Sequence, residues 1–228
     1  MVKKLLTKQP LRIGVFGGTF DPVHIGHTQS AQAAAQELNL SQILFIPAYI
    51  PPHKSSVANS PAASPKNRGL MVALACDENA LFTCDLRELQ RQQHSYTIDT
   101  LLDLKKEFPQ AHLYFIIGMD SLLTFTAWHR YDDILKHCNL VVNTRPNYCV
   151  DQLNKATKAL LIKHQIADTT KLDQADVGAI IFTKPMDLDI SSTQIRKVLQ
   201  DNSRDGTHNQ VALFASVLDF ISKNKLYR

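Results

Sequence analysis

The chain has 228 residues, 44% apolar and 20% charged, a balance that suits one folded domain with a substantial core. Its net charge of +4, from 25 basic and 21 acidic residues, suits anionic small molecules and is too mild and dispersed for a nucleic-acid partner. No apolar run approaches the roughly 20 residues that span a bilayer, so no membrane partner is expected. Met1 to Pro10 carries lysines without the apolar stretch of a signal peptide and reads as a loose extension. Cys76, Cys84, Cys138 and Cys149 show no C-x-x-C spacing, which predicts structural thiols in a reducing, cytoplasmic compartment.

The first predicted strand is the apolar run Ile13 to Phe16. Gly17-Gly18-Thr19-Phe20-Asp21-Pro22-Val23-His24-Ile25-Gly26-His27 follows it, and Gln29 to Leu38, rich in Ala, Gln, Glu and Leu, reads as a helix. A strand, a glycine turn and a helix in that order set backbone N–H groups and the positive end of a helix dipole at the strand's carboxyl edge, where phosphate binds. Gly17 and Gly18 can take backbone angles closed to other residues and let a ligand approach the main chain. His24 and His27, three apart, fall on one face once the helix has begun, and each can donate a hydrogen bond to a phosphate oxygen or simply pack the helix start. Neither G-x-G-x-x-G nor G-x-x-x-x-G-K-[ST] is present, so neither a dinucleotide fingerprint nor a P-loop is read here.

Ile43 to Ile46 is the second predicted strand, and Ala48 to Pro65 reads as a long Pro-, Ser- and Ala-rich loop. Within it Pro51-Pro52-His53-Lys54 presents a cation on a stiff backbone, as a lid over phosphate or as ordinary surface. Arg68 to Ala75 predicts a helix and Leu81 to Cys84 a short strand. Ser95-Tyr96-Thr97 opens an amphipathic helix with Ile98, Leu101, Leu102 and Phe108 near one stripe, stopped by Pro109. Leu113 to Ile117 is the most apolar strand and ends at Gly118-Met119-Asp120-Ser121-Leu122, a second strand-to-helix junction. Asp120 there either binds ribose, sharing a crevice with Gly17 to His27, or caps the helix. Trp128, the sole tryptophan, either packs in the core or stacks a flat heteroaromatic ring. Leu140 to Val142 is a strand before the basic turn Thr144-Arg145-Pro146-Asn147-Tyr148, residues 151 to 175 read as one or two polar helices, and Ala179 to Phe182 is the last strand. In Asp189-Ile190-Ser191-Ser192-Thr193-Gln194-Ile195-Arg196 the Ser191–Gln194 pair fits a capping box, so a helix starts there and forms a second anion site with Arg196 nearby. The closing helix packs Phe214, Val217, Leu218 and Ile221.

Alternating strands and helices predict an α/β fold, Rossmann-like, with a mostly parallel sheet and helices on both faces in a single domain. Gly17 to His27 resembles the G-G-[ST]-F-D-P-x-H-x-G-H signature of the nucleotidyltransferase superfamily, and residues 190 to 196 resemble its I-S-S-T-x-I-R motif. Pro51 to Lys54, Ser95 to Thr97, Gly118 to Leu122 with Trp128, and Leu226-Tyr227-Arg228 are similar to the bacterial nicotinate-nucleotide adenylyltransferases. The resemblance implies adenylyl transfer from ATP to nicotinate mononucleotide, with Mg²⁺ carried on the nucleotide phosphates, by a monomer or homodimer. It further implies that His24, His27, Lys54 and Arg196 act on the phosphates, with Gly17, Gly18, Thr19, Phe20, Ser191, Ser192 and Thr193 in ATP binding. Asp120 would take ribose, and Tyr96, Thr97 and Trp128 the pyridine ring, with Gly118 and Arg145 among the substrate-binding residues. An aminoacyl-tRNA synthetase, an adenylyltransferase for phosphopantetheine or flavin mononucleotide, and a non-catalytic nucleotide sensor are the alternatives.

Overall fold

The structure is a computed structural model that describes residues 10–51, 60–144, 153–167, 176–185, 190–205 and 211–228. Lys54, Arg145 to Tyr148, Cys149, Asp189, part of 151–175 and nearly all of the expected N-terminal extension lie outside the described residues.

Each predicted strand is found. Arg12–Gly18 (β1), Gln42–Pro47 (β2), Phe82–Cys84 (β3), His112–Gly118 (β4), Asn139–Asn143 (β5) and Ile180–Phe182 (β6) form one sheet in the order β3-β2-β1-β4-β5-β6. Every strand pair is parallel. The strands read as unbroken apolar runs because both faces of the sheet are covered. Their side chains alternate between two cores: Ile43, Phe45, Tyr114, Ile116 and Val141 enter one, and Ile13, Val15, Leu113, Phe115 and Leu140 enter the other.

On the first face lie Ile25–Leu38 (α1), Pro65–Cys76 (α2), Ser192–Asp205 (α8) and Ala215–Lys223 (α9), through residues such as Ala31, Met71, Ile195 and Val217. On the second lie Thr97–Glu107 (α4), Met119–Thr124 (α5), Tyr131–Ile134 (α6) and Lys155–His164 (α7), through Ile98, Leu122, Ile134 and Leu161. Arg87–Arg91 (α3) and α6 were not expected, since helices of 5 and 4 residues are too short to show a period.

Several expectations shift. α1 begins at Ile25 rather than Gln29, so His24 is its N-cap. Pro65 belongs to α2, not the loop, as its first residue after Ser64, whose Oγ accepts the Asn67 N–H at 3.2 Å. In α4 the deepest row is Ile98, Leu101 and Leu104, spaced by three, with Leu102 and Phe108 only half-buried at its side. Cys76 and Cys138 are buried and Cys84 half-buried, and burial pushes all three thiols up to about 12, the state of inert packing groups. No helix among the described residues is long and apolar enough to cross a membrane.

The strand order reverses between β1 and β4, with the chain running outward to β2 on one side and to β5 on the other. A crevice opens outside the carboxyl ends at such a point. Gly17 and Gly18 end one of its two strands, and Gly118 ends the other.

Candidate active site

The glycine turn works differently from the expectation. Gly17 and Gly18 are the last residues of β1, and among described glycines only Gly178 has a positive φ. The left-handed residue is Phe20, at φ 49°. That turn throws its ring back over Gly18, where a Cβ would lie 2.8 Å from the ring. Gly18 is needed for close approach, then, rather than for an unusual backbone angle. Phe20 is only 2% exposed, and its ring meets the His27 imidazole edge-on at 5.1 Å. Gly17 is less constrained: a Cβ there would make ordinary contact with Phe115.

Starting α1 at Ile25 brings the two imidazoles together, their rings stacked at 3.6 Å between centroids. The His24 main-chain N–H donates to His27 Nδ1 at 3.2 Å. A neutral His27 that accepts at Nδ1 carries its proton on Nε2, which makes that nitrogen the donor. One backbone bond therefore sets the tautomer.

Between the glycines and the imidazoles sits Asp21, a carboxylate 4% exposed. Its Oδ1 accepts from the Tyr227 hydroxyl at 2.7 Å and the Ala63 N–H at 3.0 Å, and its Oδ2 from the Ala62 N–H at 2.7 Å. Arg68, wholly buried, donates to the carbonyls of Thr19 at 2.7 Å, Tyr49 at 3.0 Å and Ala63 at 3.3 Å. Burial lowers the Arg68 pKa, and the nearby Asp21 charge opposes that.

The start of α8 arrives on the same spot. Ser191 and Gln194 form the expected capping box: the Ser191 N–H donates to Gln194 Oε1 at 3.0 Å, and the Gln194 N–H to Ser191 Oγ at 3.2 Å. Ser192 Oγ donates to the Pro22 carbonyl at 2.9 Å. Arg196 donates through Nη1 to the Asp21 carbonyl at 2.7 Å and through Nη2 to Thr193 Oγ1 at 3.2 Å.

At the other end, Gly118 is the N-cap of α5, and Asp120 stands one residue inside the helix rather than at its cap. Asp120 is exposed on the cleft, and its carboxylate folds back so far that a Cβ on Gly118 would lie 2.5 Å from Oδ1. Tyr96 is the N-cap of α4, and its ring lies 4.5 Å from His129. The turn before it is anchored by Ser95, whose Oγ accepts the Tyr49 N–H at 2.9 Å while its N–H donates to Ile50 O at 3.0 Å. Beneath lies Glu88, 7% exposed, accepting from Thr100 Oγ1 at 2.6 Å. Burial pushes its carboxyl up, against the pull of bonds from Thr100 and Ser95. Trp128 stands between the core and the cleft. It is half-buried against Phe125, 5.5 Å away, and edge-on to Phe115 at 6.2 Å, and it also lines the cleft.

These parts enclose a cleft of about 1010 Å³, at the upper end of the range for small-molecule sites. Gly17, Gly18, Thr19, Phe20, His24, His27, Ser192, Thr193 and Arg196 line one side, and Tyr96, Thr97, Gly118, Asp120 and Trp128 the other. Ser191 is not among the lining residues: its polar groups close the capping box. Lys54 and Arg145 lie outside the described residues. Sequence reasoning missed Asp21, Arg68, Glu88, His129 and Tyr227. Asp21 carried a signal in its place inside the glycine–histidine motif, and Tyr227 in the similarity of the terminal Leu226-Tyr227-Arg228.

Residues 15–198 match the family model described as cytidylyltransferase-like. The chain is 42% identical to a protein of Aeromonas salmonicida over 95% of its own length and 97% of the relative's. It is 41% identical to one of Psychromonas ingrahamii over 96% and 99%. Both relatives carry the name "Probable nicotinate-nucleotide adenylyltransferase". Among solved structures it is similar to the Plasmodium falciparum nicotinic acid mononucleotide adenylyltransferase complexed with NaAD, at TM-score 0.66 and 17% identity over 95% of this chain and 97% of that one. The complex of that enzyme with APC gives TM-score 0.65 at 16% identity over the same shares, a likeness of fold. With its cleft at the sheet's point of reversal and relatives matched nearly end to end, the chain belongs to the cytidylyltransferase-like family, in its nicotinate-nucleotide adenylyltransferase branch.

Proposed function

We propose that this chain joins nicotinate mononucleotide to the adenylyl group of ATP, forming deamido-NAD and releasing pyrophosphate, by direct in-line attack without a covalent enzyme intermediate. One observation carries this reading: the imidazoles at the start of α1 and the guanidinium at the start of α8 line one cleft, with an aromatic wall at its other end. The mononucleotide's phosphate is the nucleophile. A phosphate monoester is largely deprotonated at neutral pH, so no side chain is assigned as an obligatory base. What the protein supplies is placement and charge.

His24 and His27 donate to the triphosphate, and the tautomer set at His27 aims an N–H rather than a lone pair. Arg196 meets the leaving pyrophosphate together with the N-terminus of α8, while Ser192 ties that helix to Pro22 and Ser191 caps it. Asp120 takes ribose hydroxyls, and Trp128 stacks the pyridine ring beside Tyr96 and Thr97. Lys54 as a closing cation and Arg145 as a substrate contact remain parts of the proposal.

Among the described residues no group of three or more His, Cys, Asp and Glu could hold a metal ion. Asp21, the buried carboxylate of the phosphate end, already accepts three hydrogen bonds. This donor set does not fit a protein-held Mg²⁺, and the ion enters as part of the substrate, on the phosphates of ATP. The reading includes a single domain over residues 1–228 and a cytoplasmic setting.

The test is pyrophosphate release from ATP and Mg²⁺ with nicotinate mononucleotide, nicotinamide mononucleotide and phosphopantetheine in parallel. Turnover with the first is expected. Turnover with phosphopantetheine alone would overturn the assignment of acceptor, and no release with any of them would overturn the reaction.

A further inference from the structure

We infer that Tyr227 is a positioning residue for the phosphate end of the cleft: its hydroxyl occupies the Asp21 carboxylate so that Arg196 stays turned toward the triphosphate. The inference rests on the function proposed above. It starts from an electrostatic conflict. A carboxylate that helps line a polyphosphate site repels the ligand and competes for its cations. At Asp21 the conflict is removed by neutral donors, the Tyr227 hydroxyl and the Ala62 and Ala63 N–H groups.

The position of Arg196 shows the result. Its Nη1 is held at 2.7 Å by the Asp21 main-chain carbonyl, yet stands 3.8 Å from the carboxylate Oδ2, beyond hydrogen-bond reach. The carbonyl holds the guanidinium by a hydrogen bond, while the carboxylate attracts it only as a longer ion pair without one. Arg68 is near enough to feel the Asp21 charge, but its Nε, Nη1 and Nη2 are each directed to a carbonyl. Arg196, with 28% of its side chain exposed, is the cation with room to move.

The chain after α9 is bent to deliver this hydroxyl. Lys225 and Tyr227 both take left-handed backbone angles, φ 54° and 60°, an uncommon conformation for residues with side chains. The Tyr227 ring is thereby brought down to 8% exposure. Burial and the Asp21 charge raise its pKa, which keeps it a donor. Without the hydroxyl, Oδ1 keeps only the Ala63 N–H, and the buried carboxylate takes Arg196 as its replacement donor, drawing the cation off the ligand.

Tyr227→Phe keeps the ring and removes the hydroxyl. Calorimetric titration with Mg·ATP reads the phosphate end without needing an acceptor, and a double-mutant cycle with Arg196→Gln asks whether the effect passes through Arg196. The expected result is about tenfold weaker ATP binding in the wild-type background, the scale of one hydrogen bond to a charged group. In the Arg196→Gln background the same change should cost less than about twofold, and KM for nicotinate mononucleotide should stay within about twofold. Unchanged ATP affinity overturns the inference, and so does an equal loss in both backgrounds, which is the mark of general packing. A wild-type chain that binds ATP but ignores nicotinate mononucleotide overturns the acceptor assignment alone, and the binding cycle still decides Tyr227. A chain that binds no ATP overturns both.

Discussion

Replacing Arg68 by Met tests the structural logic of the phosphate end most directly. The methionine keeps most of the aliphatic stem and removes a guanidinium that is 0% exposed. Three inward-facing carbonyls, of Thr19, Tyr49 and Ala63, then lose their side-chain donor. Each buried group left unsatisfied costs about 1–3 kcal/mol, so a plain sum reaches roughly 3–9 kcal/mol. Part is recovered, because the unfolded guanidinium no longer has to be stripped of water. Asp21 also loses a neighbouring cation, so a loss of about 4 kcal/mol, in the lower part of that range, is expected. Against a total of roughly 5–15 kcal/mol the variant would be marginal. Arg68→Lys should lose about half as much, since one ammonium cannot fork to all three carbonyls. Equilibrium urea unfolding at pH 7 measures the difference through the midpoint at constant slope. A loss below about 1 kcal/mol for the methionine variant would refute the reasoning, because it would mean that water or backbone shifts satisfy those carbonyls as well as Arg68 does.

Three further outcomes are expected. His27→Ala should lower kcat by about 10²-fold, the scale of one preorganised donor, and a variant that keeps near-full rate would remove His27 from the reaction. Because Trp128 is the only indole, saturating nicotinate mononucleotide should quench or shift its emission; an unchanged spectrum would leave it as a core residue that merely borders the cleft. Glu88 has its pKa raised by burial, so its folded form prefers the proton. Its contribution is fully present below the ordinary carboxylate value of 4.5 and is lost as pH rises through the higher folded value. Glu88→Gln should therefore gain stability relative to the wild type across that window in urea titrations at stepped pH, whereas parallel profiles would show that burial does not raise the Glu88 carboxyl.

Much of the scaffold could be read from the amino acids for one physical reason. A parallel sheet covered on both faces turns its strands into apolar runs, and the runs at Ile43 to Ile46 and Leu113 to Ile117 stand out for that reason. The pairing of His24 and His27 was legible from helical spacing, and Ser191 with Gln194 from the capping pattern. The supports were not legible. Arg68 reaches carbonyls of residues 19, 49 and 63, and a main-chain oxygen has no signature in a sequence. Tyr227 bonds a residue 206 positions away, where no periodicity operates. Close approach at Gly18 was readable, but not what approaches, because nothing local says that the ring of Phe20 will fold back onto it.

The two motifs are more than neighbours. The loop at Asp21 and Pro22 offers its main-chain carbonyls to Arg196 and Ser192, residues 175 and 170 positions further on. Displacing α8 therefore breaks bonds to the same loop that leads into His24. In a transfer whose protein contribution is placement and charge, the donors have to be fixed before the ligand arrives, because donors that reorganise during the reaction forfeit part of their effect. Carbonyl anchors suit that need better than carboxylate anchors. They orient a guanidinium through its N–H groups without bringing an anion into direct hydrogen-bond contact, and the Asp21 carboxylate stays 3.8 Å away.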